Sequence, residues 1–204
     1  MKYCILIARL LSTLFRPIYY PVLGIFTLFT TTYLGILPWS YKFHLIAVVF
    51  LFTVALPSVT LWFYRSLSHI KRNEMHQKQN RIVSYLITMC YYTFFLYITD
   101  NIALPRFVKV VILLFFVIQF ICLFLNMKWR ISMHSAGSGA IIGLLAAFSF
   151  KFAFNPLVYL CVAILFSGLV MTSRMLLRKH TLPEVLCGTL LGCVCGYFGV
   201  ILLY

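Results

Sequence analysis

Residues 106–127, RFVKVVILLFFVIQFICLFLNM, form a long and mainly apolar stretch. An α-helix needs about 20 such residues to cross the hydrocarbon core of a bilayer. The whole chain shares this character, because 63% of its 204 residues are hydrophobic and its mean hydropathy is +1.01. A soluble domain has roughly 45–50% apolar residues. The sequence therefore predicts an integral membrane protein.

Six further stretches have comparable hydropathy, and turn or helix-start residues such as Pro38, Pro105 and Pro183 separate them. We predict an all-α fold, a polytopic transmembrane helix bundle of six to seven spans. Its membrane part, residues 17–204, is predicted to be a single domain. The predicted spans are residues 17–37, 44–64, 83–99, 106–127, 134–152, 156–172 and 184–204.

The first 16 residues have a different pattern. Lys2, Arg9 and Arg16 are spaced seven apart, so on a helix they share one face. This spacing predicts an interfacial amphipathic segment, residues 1–16, ahead of the membrane domain. A cleaved signal peptide is disfavoured, because Arg9 interrupts the apolar region. The opposite face carries Ile7, Leu11, Leu14 and Phe15.

The chain is strongly basic, with a formal net charge of +14 and only three acidic residues. The basic residues lie in short connections between apolar stretches, where they can meet lipid headgroups or an anionic substrate. They therefore indicate no nucleic-acid partner, although such a charge would suggest one in a soluble protein. The seven cysteines lack metal-ligand spacing, so we predict neither a metal site nor a cofactor.

Three of the predicted connections lie on the same face of the bundle. Counting crossings from the predicted spans places residues 65–82, 128–133 and 173–183 together. Both His134 and His180 fall there, as do most of the basic residues. The other face holds only Lys42, Arg106, Lys109 and Lys151.

This clustering suits phosphoryl transfer, which needs cationic donors for the phosphate oxygens, an in-line nucleophile and a proton for the leaving oxygen. Within SRMLLRKHTLPE, residues 173–184, His180 is followed four residues later by Glu184. A carboxylate on one imidazole nitrogen fixes the tautomer and leaves the other nitrogen to attack phosphorus. We predict His180 as nucleophile, Glu184 as its orienter and His134 as the acid for the departing oxygen.

The stretch resembles a motif of the type 2 phosphatidic acid phosphatase family, whose members are membrane-bound, metal-independent lipid phosphatases. The family's third motif is Ser-Arg, five residues, His, three residues, Asp. Here it stands as Ser173-Arg174, five residues, His180, three residues and Glu184. Replacing Asp by Glu keeps the carboxylate and lengthens its reach by one methylene.

The family's other two motifs are matched less closely. Its second motif, Pro-Ser-Gly-His, appears as Ile131-Ser132-Met133-His134, which keeps Ser and His and loses Pro and Gly. Its first motif, Lys, six residues, Arg-Pro, has no intact copy. Arg81, just before a predicted span, is carried over for it, with Lys78 as the second cation.

The resemblance, which covers residues 65–204, implies a mechanism and a substrate. His180 would form a phosphohistidine intermediate, Glu184 would orient it, and His134 would protonate the leaving group. The substrate would be a lipid phosphate or diphosphate, and we predict a location in the bacterial inner membrane. The predicted phosphate contacts are Arg174, Arg81, Lys78, Ser132 and Ser173.

Several alternatives remain open at this stage. A catalytically inactive relative, or a non-enzymatic membrane protein that binds anionic lipid through the same basic rim, fits the imperfect motifs. A small transporter fits less well, because no repeated halves are present. The positive-inside rule directs the site face to the cytoplasm, whereas the family presents its site to the periplasm, lumen or exterior. The pattern does not distinguish phosphatidic acid, phosphatidylglycerol phosphate, lipid A phosphate and polyprenyl diphosphate, nor does it predict an oligomeric state.

Overall fold

The computed structural model describes residues 2–67, 78–101 and 104–203, and for residues 2, 4, 78–81, 100 and 101 it describes the backbone alone. That part of the chain contains helices and no β-strand. Six helices in it are long and apolar enough to cross a membrane, which confirms the predicted all-α transmembrane bundle. The helices are α1 (Lys2–Leu14), α2 (Tyr20–Thr31), α3 (Trp39–Phe50), α4 (Leu56–Leu67), α5 (Lys78–Asn101), α6 (Arg106–Lys128), α7 (Met133–Phe152), α8 (Leu157–Leu176) and α9 (Leu182–Leu203).

The first predicted span, residues 17–37, is not one long helix. It contains a short apolar helical stretch, Pro17–Thr31, followed by a separate 3₁₀ turn at Tyr33–Ile36. Thr32 ends α2 because its backbone is extended, with φ −112° and ψ 173°, and its hydroxyl accepts a hydrogen bond from the Leu34 amide. Side-chain bonding to nearby backbone competes with helix in this way.

The second predicted span is longer than expected. Helices α3 and α4 join through a π-helical segment, Leu51–Ala55, into one span of 29 residues, Trp39–Leu67. Pro57 follows this segment and lacks the amide hydrogen that a regular helix would use. π-Helical turns are rare and occur mostly as single turns within longer helices, as here.

Successive long helices run in opposite directions, so their connections alternate between two ends of the bundle. The Ser132 amide donates to the Glu184 carbonyl at 3.4 Å, which places the α6–α7 connection beside the α8–α9 turn. We call this the site end. At the far end the Tyr33 ring packs edge-on against Phe152, with 5.0 Å between the ring centroids. Of the predicted connection 65–82, residues 68–77 lie outside the described part.

Helices α7 and α9 pack with their backbones in contact. A Cβ added at Gly139 would overlap the Thr189 carbonyl of α9. A Cβ added at Gly192 would overlap the Ala136 carbonyl of α7. Glycines spaced four apart form a smooth stripe that lets transmembrane helices approach closely. The stripe fixes the register between the start of α7 and the start of α9. Its members are Gly139 and Gly143 on α7, and Gly188, Gly192 and Gly196 on α9.

Helix α1 lies against α8. Ala8 is buried in this contact, and the Phe15 ring lies 5.7 Å from that of Phe166. Arg9 and Arg16 are exposed beside the packed face. The division of the chain at residue 16 stays a prediction.

Candidate active site

His180 and Glu184 form the central pair of the site. The Nδ1 atom of His180 lies 2.8 Å from Oε2 of Glu184, and the two side chains are only 10% and 14% exposed. The same Oε2 accepts a hydrogen bond from the Thr181 amide at 3.3 Å. Thr181 directly precedes α9, so Glu184 reaches back to the helix start as in a capping box. The helix begins at Leu182, so Pro183 is its second residue, one later than the position that proline prefers.

The C-terminal end of α8 connects Arg174 to His180 and fixes their relative positions. The Lys179 amide donates to the Arg174 carbonyl at 3.1 Å, and the Arg178 amide donates to the Met175 carbonyl at 2.9 Å. Arg178 itself is left-handed, with φ 51°. This is the bonding of a Schellman motif, in which the chain reverses tightly after a helix. The five residues between Arg174 and His180 therefore form the C-terminal end of α8 and its tight reversal.

Ser132 starts α7. Its buried hydroxyl accepts hydrogen bonds from the amide and the hydroxyl of Ser135, at 3.4 and 3.0 Å. Asn126, at the end of α6, accepts from the Ile131 amide at 3.1 Å and so fixes the preceding connection. Neither Ile131 nor Met133 has a positive φ. The loss of glycine from the second motif therefore creates no backbone strain here.

His134 lies in the first turn of α7 and faces the third-motif residues. Its backbone carbonyl accepts a hydrogen bond from the hydroxyl of Tyr20, at 2.8 Å. The imidazole is close enough to Arg174 and His180 to interact electrostatically with both. The second and third motifs, 46 residues apart at their histidines, thus meet at one end of the bundle.

Arg174 is a charged side chain that is only 7% exposed. Its Nη1 donates to the Ser12 hydroxyl at 2.8 Å, whereas its buried Nε has no hydrogen-bond partner among the described residues. A buried charge without a paired anion is costly, and a guanidinium fork suits two oxygens of one phosphate. Ser173, beside it, donates its hydroxyl to the Val170 carbonyl at 2.7 Å.

Further cations lie near Lys179, beside Arg174. Burial, and then the nearby guanidinium groups of Arg174, Arg16 and Arg9, hold the pKa of Lys179 below its usual range. Glu184 is the only acidic side chain that the structure describes, and it is already engaged with His180. The described site thus has a surplus of positive charge, which favours an anionic ligand.

The structure brings together six of the eight residues predicted for the site. The other two, Lys78 and Arg81, start α5, but their side chains lie outside the described residues. The roles assigned to all eight stay predictions. The six are Ser132, His134, Ser173, Arg174, His180 and Glu184.

The sequence reasoning missed three residues that complete the site's surroundings. Asn126 holds the connection that carries the second motif, and Tyr20 bonds the carbonyl of His134. Ser12 contacts Arg174. A polar Asn at the end of an apolar span could have signalled a loop contact. Ser12 carries no comparable signal, because a serine in an amphipathic segment is common.

Among the described residues, no group of three His, Cys, Asp or Glu side chains is arranged to hold a metal ion. In comparisons with protein-family models, curated proteins and solved structures, no match was found. The family resemblance therefore depends on the motif residues alone and stays a prediction.

Proposed function

We propose that this chain is an integral membrane lipid phosphatase or diphosphatase of the bacterial inner membrane. The observation that carries the proposal is the His180–Glu184 pair, 2.8 Å apart, beside buried Arg174 at one end of a membrane bundle. A nucleophile held by an orienting carboxylate, next to a guanidinium whose Nε has no partner among the described residues, is the minimal set of groups for attack on a phosphate.

In the first step, the lone pair of His180 Nε2 attacks phosphorus while Glu184 holds Nδ1–H. The new N–P bond forms as the bond from phosphorus to the lipid oxygen breaks. His134 gives its proton to that oxygen, so the lipid leaves as an alcohol, or as a monophosphate when the substrate is a diphosphate. Arg174 stabilises the charge on the equatorial oxygens.

In the second step, water hydrolyses the phosphohistidine. His134, now neutral, takes a proton from the attacking water. The N–P bond breaks, inorganic phosphate leaves, and the lone pair returns to His180.

The lipid tail has a place in this arrangement. The site lies at the common end of α7, α8 and α9, so a phosphate there keeps its acyl or prenyl chain at the level of the bilayer. Helix α8 leaves most of its apolar surface exposed. We propose that the acyl or prenyl chain lies along this surface, formed in part by Leu165 and Leu169.

Phosphate release tests the proposal. The purified protein, in detergent with a chelator, should release phosphate from phosphatidic acid, phosphatidylglycerol phosphate, lipid A phosphate or a polyprenyl diphosphate. His180→Ala should reduce the rate by about a thousandfold or more, the scale seen when a nucleophile is removed. His44→Ala is the matched control, because His44 lies on α3 and its Nδ1 is 3.2 Å from the Ser40 carbonyl of the same helix.

Two results would contradict the proposal. Full activity in His180→Ala would remove the assigned nucleophile. No release by the wild type from any of the four substrates would favour the inactive, lipid-binding relative, whose basic rim and buried Arg174 would be the same.

The membrane face of the site has its own test. A single Cys is placed beside Lys71, which lies outside the described residues, in a chain whose seven native cysteines are replaced. Labelling of intact cells by an impermeant maleimide would put the site outside. Labelling only after permeabilisation would put it in the cytoplasm, as the distribution of basic residues predicts.

A further inference from the structure

The N-terminal helix contacts the site at one residue. Ser12 of α1 is separated from Arg174 by 162 positions, yet its hydroxyl oxygen accepts a hydrogen bond from that guanidinium, at 2.8 Å. The His134 imidazole also interacts with the backbone of Ser12. The two groups proposed to bind the phosphate and to protonate the leaving oxygen therefore both face α1.

Ser12 is a weak partner for Arg174. A serine hydroxyl supplies one neutral acceptor, and the buried Nε is left without a partner among the described residues. A phosphate supplies two or three charged oxygens and can bind Nε and an Nη together. Exchange of Ser12 for phosphate would thus replace one neutral acceptor by two charged ones.

The rest of α1 buries few side chains. Tyr3, Leu6, Leu10 and Leu14 are more than half exposed, and Ala8 is its one buried apolar side chain among those described. Arg9 of α1, and Arg16 just after it, also bring positive charge towards Lys179, with which both interact electrostatically. Like charges repel each other, which opposes the contact. An element held by few buried contacts opens at low free-energy cost.

We propose that α1 is a gate over the active site, with Ser12 occupying the place of the substrate phosphate on Arg174. The described conformation is the closed form, and a lipid phosphate displaces Ser12 when it binds. This inference rests on the proposed phosphatase function, because it assigns regulation to the same site.

The test compares two substitutions of opposite effect in the full-length chain. Ser12→Ala removes the acceptor and should raise kcat/KM for the lipid phosphate by about tenfold, the scale of one hydrogen bond to a charged group. Ser12→Asp gives Arg174 a carboxylate and should lower kcat/KM by a similar factor or more. Thr13→Ala, on the same helix, should change it by less than about twofold, because the Thr13 hydroxyl bonds the Arg9 carbonyl of its own helix.

The outcomes separate the gate from the phosphatase. If the wild type releases phosphate but Ser12→Ala is unchanged or slower, the gate is wrong and the phosphatase stands. A merely structural contact would make both Ser12 variants lose activity.

If the wild type releases no phosphate, calorimetric binding of inorganic phosphate to the same purified proteins decides. Tighter binding by Ser12→Ala, by about tenfold, supports the gate in an inactive relative. Equal binding overturns it.

Discussion

Two helix pairs meet at the site and are built differently. In the α7–α9 pair, backbones touch along a glycine stripe. In the α1–α8 pair, Ala8 is the one buried apolar side chain of α1 among those described, and Ser12 reaches Arg174 through one hydroxyl. The first pair positions His134 and His180, and the second carries Arg174.

The difference separates two requirements of catalysis. The proposed nucleophile and acid need a fixed mutual geometry, because a small displacement of reacting groups costs a large factor in rate. The proposed phosphate-binding side chain needs an exchangeable partner, since substrate has to replace it. A rigid pair of helices meets the first requirement, and a loosely packed N-terminal helix meets the second.

The largest effect is expected from widening the rigid pair. Gly192→Ala places a Cβ against the Ala136 carbonyl, so α7 and α9 have to separate. We expect a loss of about 1–3 kcal/mol of stability from overpacking, and a fall in activity as His134 moves away from His180. Thermal unfolding in detergent and phosphate release measure the two effects.

Gly168→Ala is the matched control on the looser pair. Nothing lies within 4 Å of a Cβ at Gly168, which is on α8. Helix propensity predicts no loss and a gain of up to about 1 kcal/mol. If the two substitutions had equal effects, the contrast between the pairs would be wrong.

The next largest effect should come from removing the charge of Glu184. In Glu184→Gln, the new side-chain oxygen could still accept from both His180 and the Thr181 amide, because Oε2 alone makes both bonds. We expect the melting temperature to stay within a few degrees and kcat to fall by about a hundredfold or more, as for other orienting carboxylates. Steady-state kinetics with a thermal melt checks both.

This substitution separates the two roles of the carboxylate. Glu184→Ala loses the helix cap as well. It should lower stability by about 1 kcal/mol and therefore also lower the melting temperature. Unchanged activity in Glu184→Gln would reduce Glu184 to a helix cap.

The smallest effect is expected at the end of α8. Arg178 has φ 51°, a conformation that glycine adopts without strain. Arg178→Gly should therefore raise stability by up to about 1 kcal/mol. Arg178→Lys keeps the Cβ and the charge and should leave the melting temperature unchanged. A lower melting temperature for Arg178→Gly would show that the Arg side chain outweighs the backbone strain.

The sequence was most informative where local rules govern the structure. Apolar length predicted α5 to α9 to within a few residues at most ends, and the four-residue spacing predicted that Glu184 meets His180. The prediction of the first span was wrong because the Thr32 hydroxyl bonds nearby backbone and ends α2. Average hydropathy does not register this effect.

The contacts that depend on tertiary packing were not predictable. Ser12 reaches Arg174 across 162 positions, and Tyr20 reaches His134 across 114. Neither Ser12 nor Tyr20 belongs to a periodic sequence pattern from which its contact could be predicted. Their positions follow from how α1 and α2 pack on α7 and α8, which no short motif specifies.

The most direct test of the central claim is to trap the covalent intermediate. The purified protein is mixed with phosphatidic acid carrying radioactive phosphate, quenched in alkali, in which a phosphohistidine survives, and digested for mass spectrometry. The account predicts label on His180 that is stable in alkali and lost in acid, and no label in His180→Ala. Phosphate release without label on His180, or label on another residue, would contradict it.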